Sequence, residues 1–94
     1  MKIPKNIKII GRNIKIEYMN EELDRNGNDG LCVFDEGKIH IKNNYKNNDE
    51  LYITFLHELL HWILYLIKHN DYNNESFIGA FSEVLYQVIQ QIER

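Results

Sequence analysis

Cysteine and proline are both scarce in this sequence. The 94 residues include one of each, Cys32 and Pro4. A single cysteine excludes a disulfide within the chain, and an unpaired thiol fits a reducing compartment. We therefore expect a cytoplasmic protein in which Cys32 is a small hydrophobic strand residue. Because Pro4 is the one proline, nothing from Asp49 to the C-terminus prevents helix formation.

Long uninterrupted apolar segments and clusters of positive charge are also lacking. The most apolar segment, residues 51–67, contains His57, Glu58 and His61, so it does not have the composition of a membrane span. Residues 1–5 lack the apolar centre of a signal peptide. The chain has 11 basic and 14 acidic residues, a net charge of −3, and its lysines are dispersed. These features favour a protein that binds neither membranes nor nucleic acid.

Alternating apolar residues predict four β-strands in the first half of the chain, over residues 7–10, 14–18, 31–34 and 38–42. Turn-forming residues 11–13 join the first two strands into a predicted hairpin, and residues 35–37 form a second turn. Charged residues on one face of the fourth strand favour an edge position in the sheet. Residues 20–30 are polar and are predicted to form a loop with a short helical turn at residues 21–24.

Two helices are predicted in the second half. The first covers residues 49–68 and is capped by Asn48 or Asp49. The second runs from residue 74 or 75 to residue 91, and its apolar residues repeat at helical spacing: Phe77, Phe81, Val84, Val88 and Ile92. With 44% hydrophobic residues, residues 1–94 are predicted to form one α+β domain. Its small, mostly antiparallel sheet would pack against the two helices.

The first predicted helix contains the pentapeptide His57-Glu58-Leu59-Leu60-His61, an HExxH motif. Residues four apart on a helix are about one turn apart on the same face, so both imidazoles can reach one metal ion. Neutral nitrogen ligands, an open coordination position and a nearby carboxylate are the parts of a zinc hydrolase. The motif therefore predicts Zn²⁺ ligands at His57 and His61 and a general base at Glu58.

The simpler interpretation is a buried helix that carries two histidines by chance. On a helical wheel, however, the strongly apolar residues are centred on the side opposite His57 and His61. The histidine side therefore faces more polar surroundings, such as a cleft. A packing role also leaves Glu58 unexplained.

A zinc site needs a third protein ligand, and Glu75 and Glu83 are the main candidates. In a simple helical hairpin, the residue level with His61 is close to Glu83. On the second helix, however, Glu83 lies opposite the apolar stripe, while Glu75 lies nearer the border of that stripe. A ligand must face the first helix, and we expect the apolar stripe to lie on that side, so helical phase favours Glu75, with Glu83 as the alternative ligand. Glu75 could also serve simply as a carboxylate that complements the helix dipole.

Residues 54–63, Thr-Phe-Leu-His-Glu-Leu-Leu-His-Trp-Ile, resemble the signature of zincin metallopeptidases. The wider chain resembles small phage- and prophage-encoded zincin-like proteins, which are distantly related to ImmA/IrrE-type and SprT-like peptidases. The resemblance extends to residues 3–9, 30–41, 75–78 and 84–89. It implies a minimal zincin-like domain and a third-ligand segment in which a Glu-x-x-Val/Ile pattern falls on Glu75 and Ile78.

As a hypothesis, these residues describe a zinc-dependent metallopeptidase-like hydrolase that cleaves a peptide bond in a peptide or protein substrate. Glu58 would act as the general base. The predicted edge strand would bind the substrate by strand addition through Ile39, His40 and Ile41, and His40 and Tyr65 are candidate oxyanion donors. The alternative is a non-catalytic zinc-binding phage or prophage module that acts by protein–protein interaction. The sequence specifies no oligomeric state.

Overall fold

A computed structural model of the protein describes residues 1–93. Its seven elements, in chain order, are β1 (Asn6–Ile9), β2 (Arg12–Tyr18), α1 (Asn20–Asn26), β3 (Gly30–Val33), β4 (Lys38–Ile41), α2 (Asn48–Leu66) and α3 (Glu75–Ile92). The predicted α+β class is confirmed. The segment that was expected to be mostly loop forms the complete short helix α1, because the buried side chain of Leu23 fixes it against the rest of the protein.

The four strands form one mixed sheet in the order β1-β2-β4-β3. The pairs β1–β2 and β3–β4 are antiparallel, and β2–β4 is parallel. The expectation that residues 38–42 form an edge strand is wrong, since β4 lies between β2 and β3. Its charged face is not exposed at an edge, because Glu17 of β2 pairs with Lys38 at 3.4 Å and with His40 at 3.1 Å. The edges of the sheet are β1 and β3.

The hairpin between β1 and β2 turns through Ile10 and Gly11. Ile9 pairs with Arg12, so only two residues form the turn. Both have positive φ, 49° at Ile10 and 76° at Gly11, as a type I′ turn requires. The turn therefore begins one residue earlier than predicted, and it places a β-branched side chain in the left-handed region.

Asparagine side chains cap both long helices. Asn47, rather than the predicted Asn48 or Asp49, caps α2 by accepting a hydrogen bond from the Glu50 N–H at 3.2 Å. Asn74 caps α3 in the same way, with the Phe77 N–H as donor. None of the helices within residues 1–93 is both long and apolar enough to cross a bilayer.

Helix α2 lies between the sheet and α3. Its buried residues Phe55, Leu56 and Trp62 pack against the fully or almost fully buried isoleucines Ile14, Ile16, Ile39 and Ile41. The Trp62 indole N–H donates to the backbone oxygen of Lys38 at 3.0 Å, which satisfies its polar group inside the core. The core therefore fixes the side of α2 that faces the sheet, and with it the direction of the HExxH motif.

Helix α3 packs chiefly on α2, with Ile78, Ser82 and Tyr86 as its buried residues. The apolar stripe recognised in the sequence is not the buried face. Its five members are between 41% and 76% exposed: Phe77, Phe81, Val84, Val88 and Ile92. The interpretation of this stripe as the face that contacts α2 is therefore wrong. Two adjacent arcs of α3 are rich in apolar residues, and contact with α2 decides which of them is buried.

Candidate metal centre

His57, His61 and Glu75 converge on one point between α2 and α3. The two Nε2 atoms of the histidines are 3.2 Å apart. Glu75 places Oε2 at 2.9 Å from Nε2 of His57 and Oε1 at 2.8 Å from Nε2 of His61. The structure thus brings together the two histidines of the motif and the carboxylate favoured as third ligand.

Local geometry positions all three side chains. His57 and His61 occupy successive turns of α2. Asn74 caps α3 so that Glu75 is its first residue, on the same arc as the buried Ile78 and Ser82. Glu75 therefore faces α2 because it shares the buried side of α3. The apolar stripe from which helical phase favoured the same residue in fact faces solvent.

The ring of His61 is held by the connection between α2 and α3. Its Nδ1 lies 2.7 Å from the backbone oxygen of Tyr72, which can only accept a hydrogen bond. Nδ1 therefore carries a hydrogen, and Nε2 is the ring nitrogen that faces His57 and Glu75. A backbone carbonyl that orients the distal nitrogen is a usual partner of metal-binding histidines.

Glu58 lies beside this group in a nearly buried position, with 8% of the residue exposed. Burial raises the pKa of its carboxyl group, while the charges of His57 and His61 and a hydrogen bond from Cys32 oppose that rise. Its Oε1 is 3.3 Å from the thiol sulfur of Cys32, and the same thiol is 3.1 Å from the backbone oxygen of Glu58. A carboxylate is thus held at the boundary between the core and the histidine pair.

Cys32 has more contact with the site than its predicted role as a small hydrophobic residue implies. Burial raises the pKa of its thiol, and the negative charge of Glu58 raises it further. The neutral thiol is therefore the stable form, which makes it a hydrogen-bond donor and not a nucleophile. No sequence pattern pairs Cys32 with Glu58, because they are 26 residues apart and meet only where β3 crosses α2.

Two cavities flank Glu58 and Glu75. One, of about 290 Å³, is also lined by Gly30, Leu31 and Cys32 of β3. The other, of about 420 Å³, also includes Gly30 in its lining. Within residues 1–93, β4 is the only strand that pairs with β3. The edge of β3 that faces away from β4 is therefore unpaired within these residues. It forms a wall of the groove made by the two cavities, which contains the candidate site.

The remaining predicted residues lie elsewhere. Glu83 is exposed and borders the larger cavity, but it does not join the group formed by the histidines and Glu75. Ile39 and Ile41 are fully buried, and His40 pairs with Glu17 on the other face of the sheet. A peptide cannot add to β4, because both of its edges are already paired. Substrate binding through Ile39, His40 and Ile41 is therefore incompatible with the fold.

The expected oxyanion donors are also away from the groove. His40 is on the far face of the sheet, and the ring of Tyr65 stacks on Phe34 with centroids 4.1 Å apart. Neither residue lines the two cavities beside Glu58.

The three side chains could hold a metal ion. The ligand atoms of His57, His61 and Glu75 all lie within 4.8 Å of one another. Zinc bonds of about 2.0–2.1 Å in tetrahedral geometry require ligand atoms about 3.3 Å apart. The observed separations of 2.8–3.2 Å, in which each histidine contacts a different oxygen of Glu75, are about 0.1–0.5 Å shorter than that value. Two imidazole nitrogens and one carboxylate are also the chemistry of catalytic zinc sites that keep a fourth position open.

Comparisons with known proteins identify no relative: no family model, no curated protein and no solved structure matches the chain.

Proposed function

We propose that the protein is a zinc-dependent hydrolase of the metallopeptidase type, which acts on a peptide bond. One observation carries the proposal: Glu75, 14 residues beyond the HExxH motif, contacts both histidines of that motif while Glu58 is held beside them. A helix with two histidines for packing alone would not require a carboxylate from another helix at the same point.

His57, His61 and Glu75 would hold the metal. Zinc bound there would lower the pKa of a water molecule and polarise a substrate carbonyl. Glu58 would accept the proton of the attacking water and pass it to the leaving amine. Tyr72 would hold a hydrogen on Nδ1 of His61 through its backbone oxygen, 2.7 Å away, so that Nε2 is the nitrogen offered to the metal.

We place the substrate along β3 instead of β4. The free edge of β3 borders the groove, so an extended peptide can pair with it and pass directly beside Glu58. The side chain of Leu31 shares the far face of the sheet with its partner His40, so the substrate contacts the backbone of β3 here. Backbone hydrogen bonds of this kind provide affinity with little dependence on sequence, which suits a peptidase.

Metal content, measured by elemental mass spectrometry, tests the proposal. We expect one zinc per chain in the wild type and its loss in His57→Ala and Glu75→Ala. Glu83→Ala is the matched control, since it removes a carboxylate from the same helix without touching the group. A wild-type protein that binds no zinc after reconstitution would contradict the proposal, and retention in Glu75→Ala with loss in Glu83→Ala would reverse the ligand assignment.

The alternative is a non-catalytic zinc-binding module that acts by protein–protein interaction. The exposed apolar stripe of α3 favours it, because five large hydrophobic side chains face solvent on one helix: Phe77, Phe81, Val84, Val88 and Ile92. The position of Glu58 favours the hydrolase, since a structural metal needs no general base. Removal of zinc by a chelator separates the two: a structural metal predicts unfolding, and a catalytic one predicts a folded apoprotein.

We propose the cytoplasm as the compartment, because a single cysteine cannot form a disulfide within the chain and an unpaired thiol fits a reducing environment. The similarity to phage- and prophage-encoded zincin-like proteins stays a prediction from sequence.

A further inference from the structure

Strand β3 approaches Glu58 so closely that a side chain at position 30 would displace its neighbours. A Cβ atom added to Gly30 would lie 2.9 Å from Cγ of Glu58, 2.9 Å from its Oε2 and 3.0 Å from Cγ2 of Thr54. The backbone of Gly30 lies outside the left-handed region that favours glycine. Close approach to Glu58, and not backbone conformation, is therefore what requires glycine here.

Cys32 contacts the same carboxylate from two residues further along β3. Side chains two apart on a strand point to the same face, so Cys32 and the hydrogen of Gly30 both face α2. The Cys32 thiol shares its hydrogen between Oε1 and the backbone oxygen of Glu58. One carboxylate oxygen thus receives a hydrogen bond from Cys32, and the other packs against Gly30.

Within residues 1–93, Glu58 forms no ion pair. Other glutamates do form ion pairs: Glu17, Glu36, Glu75 and Glu93. A glutamate has several rotatable bonds, and a general base works only when its carboxylate is held in a narrow range of positions. The contacts with β3 supply that constraint.

We infer that Gly30 and Cys32 are positioning residues that hold the Glu58 carboxylate beside the histidine pair. This inference rests on the proposed function for its catalytic consequence, although the contacts themselves can be measured without any substrate. β3 then has two roles: its free edge borders the substrate groove, and its face toward α2 orients the general base. A substrate that pairs with β3 is thereby placed at a fixed distance from Glu58.

Infrared spectroscopy of the thiol tests the positioning directly. Cys32 is the only cysteine, so the protein has a single S–H stretching band. We expect that band to shift in Glu58→Ala, which leaves the backbone oxygen of residue 58 as the remaining acceptor, and in Gly30→Ala, which displaces the carboxylate. Glu75→Ala and Gly79→Ala are the controls, since an added Cβ at Gly79 meets only one atom, at 4.0 Å. An S–H band that stays in place in Glu58→Ala would overturn the inference.

Turnover of a peptide library by the zinc-loaded protein gives the catalytic test. Displacing a catalytic group by about 1 Å costs about 100-fold, so Gly30→Ala should lower kcat by about that factor, with KM and zinc content unchanged. Loss of one hydrogen bond of about 1.4 kcal/mol predicts a tenfold lower kcat in Cys32→Ala. Cys32→Ser keeps a donor and should recover most of that loss, while Val84→Ala, a change at a 59% exposed residue of α3 outside the two cavities, keeps wild-type turnover. Equal kcat in Cys32→Ala and the wild type would contradict the inference.

Failure of the proposed function and failure of the positioning inference give different results. A wild-type protein that binds zinc but cleaves no peptide contradicts the proposed function, and the S–H band then decides the positioning contacts alone. A protein that cleaves peptides with an unperturbed kcat in both Gly30→Ala and Cys32→Ala keeps the proposed function and loses this inference. If Gly30→Ala does not fold, Cys32→Ala and Cys32→Ser decide the question.

Discussion

The backbone oxygen of Tyr72 accepts a hydrogen bond from Nδ1 of His61 at 2.7 Å, so the connection between the two long helices sets the tautomer of a candidate metal ligand. His69, in the same connection, has the opposite arrangement. Its Nδ1 lies 3.0 Å from the backbone nitrogen of Asp71, which can only donate, and it must therefore carry its hydrogen on Nε2. Two histidines eight residues apart are held in different tautomers by backbone groups.

This relationship predicts opposite nitrogen spectra for His61 and His69. In the metal-free protein, at a pH where both rings are neutral, long-range ¹H–¹⁵N correlation spectra should show a protonated Nδ1 in His61 and a protonated Nε2 in His69. The same tautomer in both residues would mean that the Tyr72 contact does not orient the ring of His61. His61→Ala and His69→Ala provide the assignments.

The orientation of α3 predicts a contrast between two of its apolar residues. Ile78 is fully buried and Val84 is 59% exposed, although both belong to regular apolar patterns. Ile78→Ala should lower the free energy of unfolding by about 3 kcal/mol because it leaves a cavity. Val84→Ala should change it by less than about 0.5 kcal/mol, since little area is lost and alanine is the better helix former.

Urea denaturation of the two variants and the wild type measures this contrast. Similar losses in both, or a larger loss in Val84→Ala, would mean that the exposed stripe is the packed face and that Glu75 is turned away from α2.

What could be predicted from the sequence was local. The spacing of His57 and His61 follows from the helical repeat, and the strands follow from alternation, so both appear without knowledge of the fold. The central position of β4 depends on its parallel pairing with β2, for which the sequence has no short-range signal. The charges of Lys38 and His40 suggested an edge strand exposed to solvent. Their partner, Glu17, lies more than 20 residues away in the chain, so the sequence does not show that β2 covers these charges.

The candidate site likewise combines a local feature, which the sequence predicts, with long-range contacts, which it does not. The HExxH motif is local, whereas the contacts of Glu58 with Cys32 and Gly30 form only where β3 crosses α2. Periodicity shows that α3 has apolar positions, but two adjacent arcs of the helix are apolar, and only tertiary packing selects Ile78, Ser82 and Tyr86.

The turn between β1 and β2 predicts a stabilising substitution. Ile10 has a φ of 49° and is 72% exposed, so a β-branched residue occupies a strained conformation with little burial to offset it. Asn-Gly is the preferred pair for a type I′ turn, and Ile10→Asn should raise the free energy of unfolding by about 1 kcal/mol. Gly11→Ala is the matched control and should lower it by about 1 kcal/mol. A lower midpoint of thermal unfolding for Ile10→Asn would contradict this account.

Tyr86 predicts a loss of stability at high pH. Its hydroxyl donates to Oδ1 of Asp49 at 2.6 Å, and this hydrogen bond, together with burial, raises the pKa of Tyr86 to about 12. An unfolded tyrosine has a pKa of about 10. The folded state therefore retains the proton over a range in which the unfolded state releases it, so the contribution is complete below pH 10 and disappears as the pH rises toward 12.

Tyr86→Phe should be less stable than the wild type by about 1 kcal/mol at pH 8, because it lacks this hydrogen bond. The difference between the two proteins should shrink as the pH rises from 10 to 12. Urea denaturation at pH 8, 10, 11 and 12 measures it, and a constant difference would mean that Tyr86 does not titrate with the raised pKa.

Glu58→Gln separates metal binding from catalysis at the proposed site. The amide keeps the size of the side chain and an oxygen that can accept from Cys32, so the fold and the ligand group of His57, His61 and Glu75 should be unchanged. It cannot take a proton from water, and general-base catalysis contributes about 100- to 10,000-fold. We therefore expect full zinc content and a loss of peptide hydrolysis of that size.

Zinc content by elemental mass spectrometry and peptide turnover must be measured on the same preparations, with Glu83→Gln as a carboxylate control outside the ligand group. Turnover equal to wild type in Glu58→Gln would exclude Glu58 as the base, and a loss shared equally by Glu83→Gln would point to the charge of the groove instead of to one proton acceptor.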